Sequence, residues 1–227
     1  KPVPCDVNKD TLTLDLNDAS KKLTNRTKAV VPVHFAGDPG KLHEIYEFAS
    51  SNGLRVIEDS AHAFGTKYNN QTIGSFGDIS CFSFDGIKNI TSGEGGCIVS
   101  DDMELIRLIK DARLLGIIND TNNRFSGKRS WNFDVSTQGW RYHMSDIMAA
   151  IGIQQLNKID YFSRKRQDLA KKYDELLSFS NQISSFKRNY TSIVPHIYSI
   201  ILPKTTKRDL LREKLYSLGI ETGIHYL

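Results

Sequence analysis

The chain has 227 residues, of which 39% are hydrophobic and 25% are charged, and this is enough to bury one sizeable core and a small second unit. The net charge is only +4, and the lysines and arginines are scattered rather than grouped in basic blocks, which argues against a nucleic-acid partner. No apolar run reaches the length of a bilayer span, so we expect no membrane partner either. The three cysteines, Cys5, Cys81 and Cys97, have no CxxC spacing and are typical of buried thiols in the cytoplasm.

Strand and helix patterns alternate along the first half of the chain. In chain order they predict a strand at 28–35, a helix at 40–52, strands at 54–59, 79–84 and 96–100, and a helix at 102–115. The last helix would be capped by Asp101 or Asp102. Alternation of this kind predicts an α/β fold, with a large, mixed but parallel-rich sheet covered by helices.

The second half of the chain has a different pattern. It predicts a polar loop at 119–138, a long helical stretch at 145–179, a strand at 196–203, a helix at 207–218 ended by Gly219, and a strand at 220–225. We therefore expect a large domain over residues 1–143, a long helical connection over 144–180 and the start of a small α+β domain over 181–227.

An amine and a carboxylate follow two of the predicted strands. Asp59 ends the strand 54–59, and Lys88 comes just after the strand 79–84 in a polar, glycine-rich turn. Open α/β sheets bind ligands beyond the carboxyl ends of their strands. Pyridoxal phosphate chemistry needs such a pair, because a lysine binds the cofactor aldehyde and an Asp keeps the ring nitrogen protonated. Taken singly, a solvated lysine and a capping carboxylate remain the alternatives.

Five stretches resemble, in order and spacing, the DegT/DnrJ/EryC1/StrS family of nucleotide-sugar aminotransferases. They are Val-Pro-Val-His-Phe-Ala-Gly at 31–37, Glu-Asp-Ser-Ala-His-Ala-Phe-Gly at 58–65, the run at 82–89, Gly-Glu-Gly-Gly at 93–96 and the run at 142–152. The Pro-Val-His and Lys-Asn-Ile-Thr wording is most similar to members that aminate C4 of a keto-sugar, such as the transaminase of 4-amino-4-deoxyarabinose synthesis. The resemblance implies the aspartate aminotransferase-like fold of type I pyridoxal phosphate enzymes.

The resemblance also implies a role for each matching residue. Lys88 matches the catalytic lysine that forms the Schiff base and moves the proton, and Asp59 matches the acid beside the pyridine nitrogen. His62 matches the residue at the phenolic oxygen of the cofactor, and Ser83 matches a hydroxyl on its phosphate. A core histidine and a strand-end hydroxyl bonded to backbone are the alternatives for these two residues.

Three further residues are implied as parts of the site. In the family the segment before Ser145 reaches the phosphate in the neighbouring subunit of a homodimer, often through an Asn, but this chain has Arg141 in its place. Arg141 or His143 is the candidate to replace that contact. His225 matches a C-terminal histidine near the sugar.

The implied activity is transfer of an amino group from glutamate, which leaves as 2-oxoglutarate, to a UDP- or dTDP-linked keto-sugar such as a 4-keto-6-deoxyhexose. The product would be an amino sugar for surface polysaccharide, such as lipopolysaccharide O-antigen. The ends of the chain match internal positions of the family pattern, so we expect a fragment that lacks the first elements of the large domain and the end of the small one.

Other interpretations remain open at this point. Amination at C3 instead of C4 is one, and a non-catalytic regulatory or scaffold protein that keeps the fold is another. A nucleotide-binding dehydrogenase lacks support because no G-x-G-x-x-G opens a helix. A metal site at His34, Asp59 and His62 has no recognised ligand spacing.

Overall fold

The computed structural model describes residues 1–118, 126–127, 133–135, 137–180 and 182–225. The helices are α1 Leu16–Lys22, α2 Leu42–Ser51, α3 Met103–Ala112, α4 Asp146–Leu156, α5 Ile159–Leu177 and α6 Arg208–Ser217, and a 3-10 turn spans Phe35–Gly37. The strands are β1 Ala29–Val30, β2 Arg55–Asp59, β3 Lys67–Tyr68, β4 Gln71–Thr72, β5 Ile79–Ser83, β6 Gly96–Val99, β7 Ser184–Ser185 and β8 Ile200–Ile201.

A four-stranded sheet with the order β1-β2-β5-β6 organises the first half of the chain. Strand β2 pairs in parallel with both β1 and β5, whereas β6 runs antiparallel to β5. The register sets Asp59 beside Cys81. Because β2 and β5 are parallel, their carboxyl ends meet at one edge of the sheet. The predicted mixed, parallel-rich sheet is therefore confirmed.

Helix α2 covers one face of this sheet. Its apolar residues Ile45 and Ala49 are almost fully buried against Val30 and Val56 of the strands. Strands β2 and β5 alternate between buried and more exposed residues, as expected for a sheet with one face packed on a helix. Truncating a buried side chain such as Ile45 to Ala costs about 2 to 5 kcal/mol, so this layer supplies much of the stability beneath the strand ends.

Several predicted elements agree with the structure within a few residues. Helix α2 lies within the predicted 40–52. Helix α3 begins at Met103 and is capped by Asp102, whose carboxylate accepts a hydrogen bond from the Leu105 backbone N–H at 3.0 Å. The predicted strand at 28–35 is too long, because regular pairing stops after Val30. Pro32 lacks an N–H and interrupts the ladder, although its carbonyl still accepts a bond from Asp59.

The second half differs more from the prediction. The helical stretch is two helices, because α4 ends at Asn157 and α5 begins after Lys158. The predicted strand at 196–203 shrinks to Ile200–Ile201, and residues 220–225 form no strand in the described part of the chain. Strand β8 is short because its partner β7 offers only Ser184 and Ser185 for pairing, and residues 220–225 have no strand beside them in the described part of the chain. Most of the predicted loop at 119–138 lies outside the described residues.

The segment before β8 packs onto the first half of the chain. The Val194 N–H donates to Thr66 Oγ1 at 2.9 Å, and the Lys67 N–H donates to the Ser192 carbonyl at 2.9 Å. These bonds join residues more than 120 positions apart. The division at 143 and 180 stays a prediction. Among the described helices, none has both the length and the apolarity that a bilayer span needs.

Candidate active site

Asp59 stands at the carboxyl end of β2, where the sheet gives way to a turn. Its backbone is fixed on both sides, since its N–H donates to the Pro32 carbonyl at 2.9 Å and its carbonyl accepts from the His34 N–H at 3.0 Å. The side chain is half-buried and accepts a bond from the Ala61 N–H at 3.2 Å. A carboxylate is therefore held at the strand end with a fixed direction.

The residue before it, Glu58, points to the opposite face and is fully buried. Its two oxygens meet His34 Nε2 at 2.6 Å, the Tyr46 hydroxyl at 2.7 Å and the Ser80 hydroxyl at 3.0 Å. Burial raises the pKa of Glu58, but the hydrogen bonds from His34, Tyr46 and Ser80 outweigh it, so that the net pKa lies below its ordinary value. These hydrogen bonds support strand β2, which carries Asp59, on the face opposite to the Asp59 side chain.

The bond between His34 and Glu58 also bears on the alternative of a metal site at His34, Asp59 and His62. Because the His34 side chain is bound to Glu58 on the far face, it does not join Asp59 and His62. Within the ranges that the structure describes, no group of His, Cys, Asp or Glu side chains could hold a metal ion.

Lys88 lies in the turn that follows β5. Its N–H donates to the Asp85 carbonyl at 3.1 Å, and farther along the turn the Ser92 N–H returns to the Phe84 carbonyl at 2.9 Å. The side chain is half-buried. Because β5 is parallel to β2, the turn that carries Lys88 leaves the sheet at the same edge as Asp59, and the role of its amine stays a prediction.

His62 is buried in the loop between them. Its Nδ1 accepts a hydrogen bond from the Ala36 N–H at 3.3 Å, so the neutral ring carries its proton on Nε2. Desolvation, the nearby charge of Lys88 and the His225 ring lower the pKa of His62 to about 4, and Asp59 opposes this. His62 is therefore neutral near pH 7. The three residues with the most specific predicted roles, Lys88, Asp59 and His62, influence one another across one site.

In the structure the Ser83 hydroxyl is bonded to the backbone of the turn that follows it. Its hydroxyl accepts a bond from the Asp85 N–H at 3.3 Å, which is the backbone interaction named above as the alternative. Ser83 lies at the entrance to the Lys88 turn, so its contact with a phosphate stays a prediction.

The remaining predicted residues lie on the outside. Arg141 pairs through its backbone with Leu114, and the side chains of Arg141 and His143 are both exposed. His225 is also exposed, but its ring centroid is 5.7 Å from that of His62. The structure therefore brings His225 to the site, while the roles of Arg141 and His143 stay predictions.

Sequence reasoning missed His196, Asn89 and Arg166. The His196 ring is buried at 4.3 Å from the His62 ring, centroid to centroid. Asn89 donates from one amide nitrogen to the carbonyls of Phe64, at 3.0 Å, Val194 and His62. These residues come from distant parts of the chain. The signal available for Asn89 was its place beside Lys88 in a run that resembles the family.

Arg166 of α5 connects the same parts. It donates to the His196 carbonyl at 3.0 Å and to the Lys88 carbonyl at 3.5 Å. Burial lowers the pKa of Arg166. Arg166 and Asn89 thus join the Lys88 turn to residues 194–196.

Comparisons with known proteins identify the family and the fold. The model of the DegT/DnrJ/EryC1/StrS aminotransferase family matches residues 1–227. The chain is 36% identical over 231 residues to the uncharacterized protein MJ1066 of Methanocaldococcus jannaschii, and 33% identical over 231 residues to the spore coat polysaccharide biosynthesis protein SpsC of Bacillus subtilis. In both matches all of this chain is covered, with 60% and 59% of the relative.

The comparison with solved structures also finds an aminotransferase. Helicobacter pylori PseC, an aminotransferase involved in the biosynthesis of pseudoaminic acid, superimposes with a TM-score of 0.90 at 28% identity over 100% of this chain and 60% of PseC. The predicted fold of the pyridoxal phosphate-dependent aminotransferases is therefore confirmed. The chain spans about three fifths of the length of the proteins that it matches.

Proposed function

This chain belongs to the DegT/DnrJ/EryC1/StrS aminotransferase family, and on that premise we propose that it carries the lysine-bearing part of an enzyme that transfers an amino group to a nucleotide-linked keto-sugar. The observation that carries the proposal is the joint placement of Lys88, Asp59 and the neutral His62 at one sheet edge. A scaffold protein that kept only the fold would not need a half-buried amine beside a carboxylate and a buried neutral imidazole.

The family uses pyridoxal phosphate, and the residues present fit this group. The site offers an amine at Lys88, a carboxylate at Asp59 and one N–H donor at His62. The Ser60 hydroxyl is fully buried and has no hydrogen-bond partner among the described residues. Buried polar groups of this kind usually have a partner, and a bound ligand or water supplies it.

Each side chain has a distinct task in the proposed reaction. Pyridoxal phosphate, when bound, supplies an aldehyde that binds amines and a ring that accepts electrons. Lys88 binds the cofactor and then moves a proton at the substrate carbon as a general base and acid. Asp59 keeps a proton on the ring nitrogen by its negative charge. His62 donates its Nε2–H to an oxygen of the ligand.

The finer features are part of the same proposal. Glutamate is the amino donor and leaves as 2-oxoglutarate. The acceptor is a UDP- or dTDP-linked sugar with its keto group at C4, as in a 4-keto-6-deoxyhexose, and the product enters surface polysaccharide such as lipopolysaccharide O-antigen. The protein works in the cytoplasm as a homodimer, in which Arg141 and His143 meet the phosphate in the neighbouring subunit and Ser83 supplies a hydroxyl to it. His225 contacts the sugar.

An absorbance spectrum tests the proposal. The full-length protein with pyridoxal phosphate should show a band near the visible edge, and glutamate should shift it to the shorter wavelength of the pyridoxamine form. A Lys88→Ala variant should show neither band nor shift. If the unmodified protein shows no band with excess cofactor, the aminotransferase proposal is wrong and a non-catalytic protein becomes the better interpretation.

A further inference from the structure

His196 is held in place from several directions. Its N–H donates to the Ala36 carbonyl at 3.4 Å, and its own carbonyl accepts from Arg166 at 3.0 Å. Two residues earlier, Val194 is bonded through its N–H to Thr66 Oγ1 and through its carbonyl to Asn89. A side chain on such a support has little freedom, so its position is determined by the fold.

The His196 ring itself makes no hydrogen bond that would explain this support. Its side chain is more than nine-tenths buried, and neither ring nitrogen has a partner among the described residues. What it does touch is His62, with the two ring centroids 4.3 Å apart and the ring planes inclined by 38°. Contact with the His62 ring is therefore the interaction that we assign to the His196 side chain.

The backbone at Ala36 connects the two histidines. Its N–H donates to His62 Nδ1, and its carbonyl accepts from the His196 N–H. Ala36 has φ 55°, which costs a residue with a side chain about 1 kcal/mol or more. The next residue, Gly37, has φ 92°, and a Cβ there would lie 2.3 Å from the Val194 carbonyl oxygen. A strained turn thus keeps a backbone N–H directed at one nitrogen of His62.

We propose that His196 is a positioning residue that acts through His62: it holds the His62 ring against the Ala36 N–H and so fixes the tautomer that carries its proton on Nε2. The tautomer of His62 does not depend on the proposed function; only the use of its Nε2–H to bind a ligand rests on that function. The fixed tautomer presents a ligand with an N–H and never with a lone pair, so His62 selects a ligand oxygen that accepts a hydrogen bond.

The charges around the pair favour a neutral His62. Lys88 and Arg166 are cationic neighbours, Asp59 is the carboxylate that opposes them, and His225 faces His62 from the end of the described chain. Burial, His62 and Lys88 together lower the pKa of His196 to about 3, so it also stays neutral. An imidazolium at either position would be buried beside other cations.

The test is the tautomer of His62 in the cofactor-free, full-length protein labelled with ¹⁵N-histidine. Two-bond ¹H–¹⁵N spectra distinguish a ring protonated on Nε2 from one protonated on Nδ1, and a His62→Gln variant identifies the His62 signals. We compare wild type with His196→Ala, which removes the ring, and with His196→Phe, which keeps a flat ring without nitrogens. His43→Ala on the exposed face of α2 is the matched control.

We expect wild type, His43→Ala and His196→Phe to show one His62 tautomer, protonated on Nε2. In His196→Ala we expect both tautomers, and a fall of about tenfold in kcat/KM that His196→Phe restores, which corresponds to roughly 1.4 kcal/mol. A single unchanged tautomer in His196→Ala would overturn the proposal.

Two further outcomes are informative. If His196→Ala does not fold, two tautomers in the wild type, or a proton on Nδ1, would overturn the proposal by themselves. The spectra need neither cofactor nor turnover, so a protein that shows no band with pyridoxal phosphate would refute the aminotransferase function and leave the tautomer result intact.

Discussion

The inner and outer parts of the candidate site are built in different ways. Asp59, His62 and Lys88 are buried or half-buried at strand ends, and their backbones are bonded to neighbouring segments. Arg141 and His143 lie exposed, on a segment that pairs through the Arg141 backbone with Leu114. The inner part therefore has its geometry within this chain, whereas the role proposed for the outer part depends on a neighbouring subunit. Mutations should separate the two parts by the size of their effects.

The largest effect should come from Lys88→Ala. Without the amine there is no nucleophile and no proton carrier, so we expect kcat to fall by at least about 10³-fold. Steady-state transamination with glutamate measures it. The control is Lys67→Ala, which removes an exposed lysine on β3 and should leave kcat unchanged. Comparable activity in the Lys88 variant would show that the inner part is not the catalytic centre.

Asp59→Asn should have the next largest effect. An amide cannot keep a proton on the ring nitrogen by its charge, so kcat should fall by about 10²- to 10³-fold, as is usual when a proton-holding group is lost. The pyridoxal phosphate affinity should change much less. Asp101→Asn, at an exposed position, is the control. A change in affinity alone would mean that Asp59 serves binding and not the chemistry.

The support behind the inner part can be tested by stability. His34→Phe leaves the buried Glu58 without its shortest side-chain hydrogen bond, and a buried polar group that loses its partner costs about 1 to 3 kcal/mol, or more when it is charged. Urea unfolding measures this loss. The exposed pair His43 and Glu47 is the control, since His43→Phe should cost less than about 1 kcal/mol. Equal losses at the two positions would contradict a supporting role for the Glu58 cluster.

The stability should also depend on pH through His62. Its folded pKa of about 4 lies below the ordinary 6.5, so between these values the unfolded chain binds a proton that the folded protein does not. The protein therefore loses stability as the pH falls from 6.5 toward 4, by at most about 3 kcal/mol from this residue. His62→Gln should flatten this slope in urea midpoints taken across the range. An unchanged slope would mean that His62 titrates normally.

The smallest effect should come from the outer part. Arg141→Ala should weaken pyridoxal phosphate binding by about three- to tenfold, the size expected for one charge-assisted contact. Fluorescence titration measures the Kd, and Arg26→Ala at another exposed position is the control. If Arg141→Ala weakens binding only in the dimeric form of the full-length protein, Arg141 acts in the neighbouring subunit and is clearly distinct from the inner residues. A loss of affinity much larger than about tenfold would contradict the distinction between the inner and outer parts.

The sequence predicted the inner part better than the rest, and the physical reason is local. Strand periodicity placed Asp59 and Lys88 at strand ends, and parallel pairing then requires those ends to meet. The sheet, α2 and α3 agreed for the same reason. The strand expected at 220–225 did not form, because alternation by itself does not supply a pairing partner.

His196 and Arg166 could not be predicted in this way. Their roles come from contacts with residues 29 or more positions away, and no local pattern encodes these contacts. The hydroxyl of Ser83 shows a related difficulty, since it bonds to the adjacent turn, and a pattern gives no means of choosing between that bond and a ligand.

The bond from Asn89 to Val194 joins residues 105 positions apart, and this has a consequence for synthesis on the ribosome. At roughly 5 to 20 residues per second, Val194 is added about 5 to 20 seconds after Asn89. During that interval the sheet edge, His62 and the Lys88 turn can form, and Asn89 can bond to the Phe64 carbonyl, but its Val194 acceptor and the His196 ring are not yet present. The contacts of residues 194–196 with the Lys88 turn and His62 are therefore completed late in translation, and a nascent chain that stops before residue 194 lacks them.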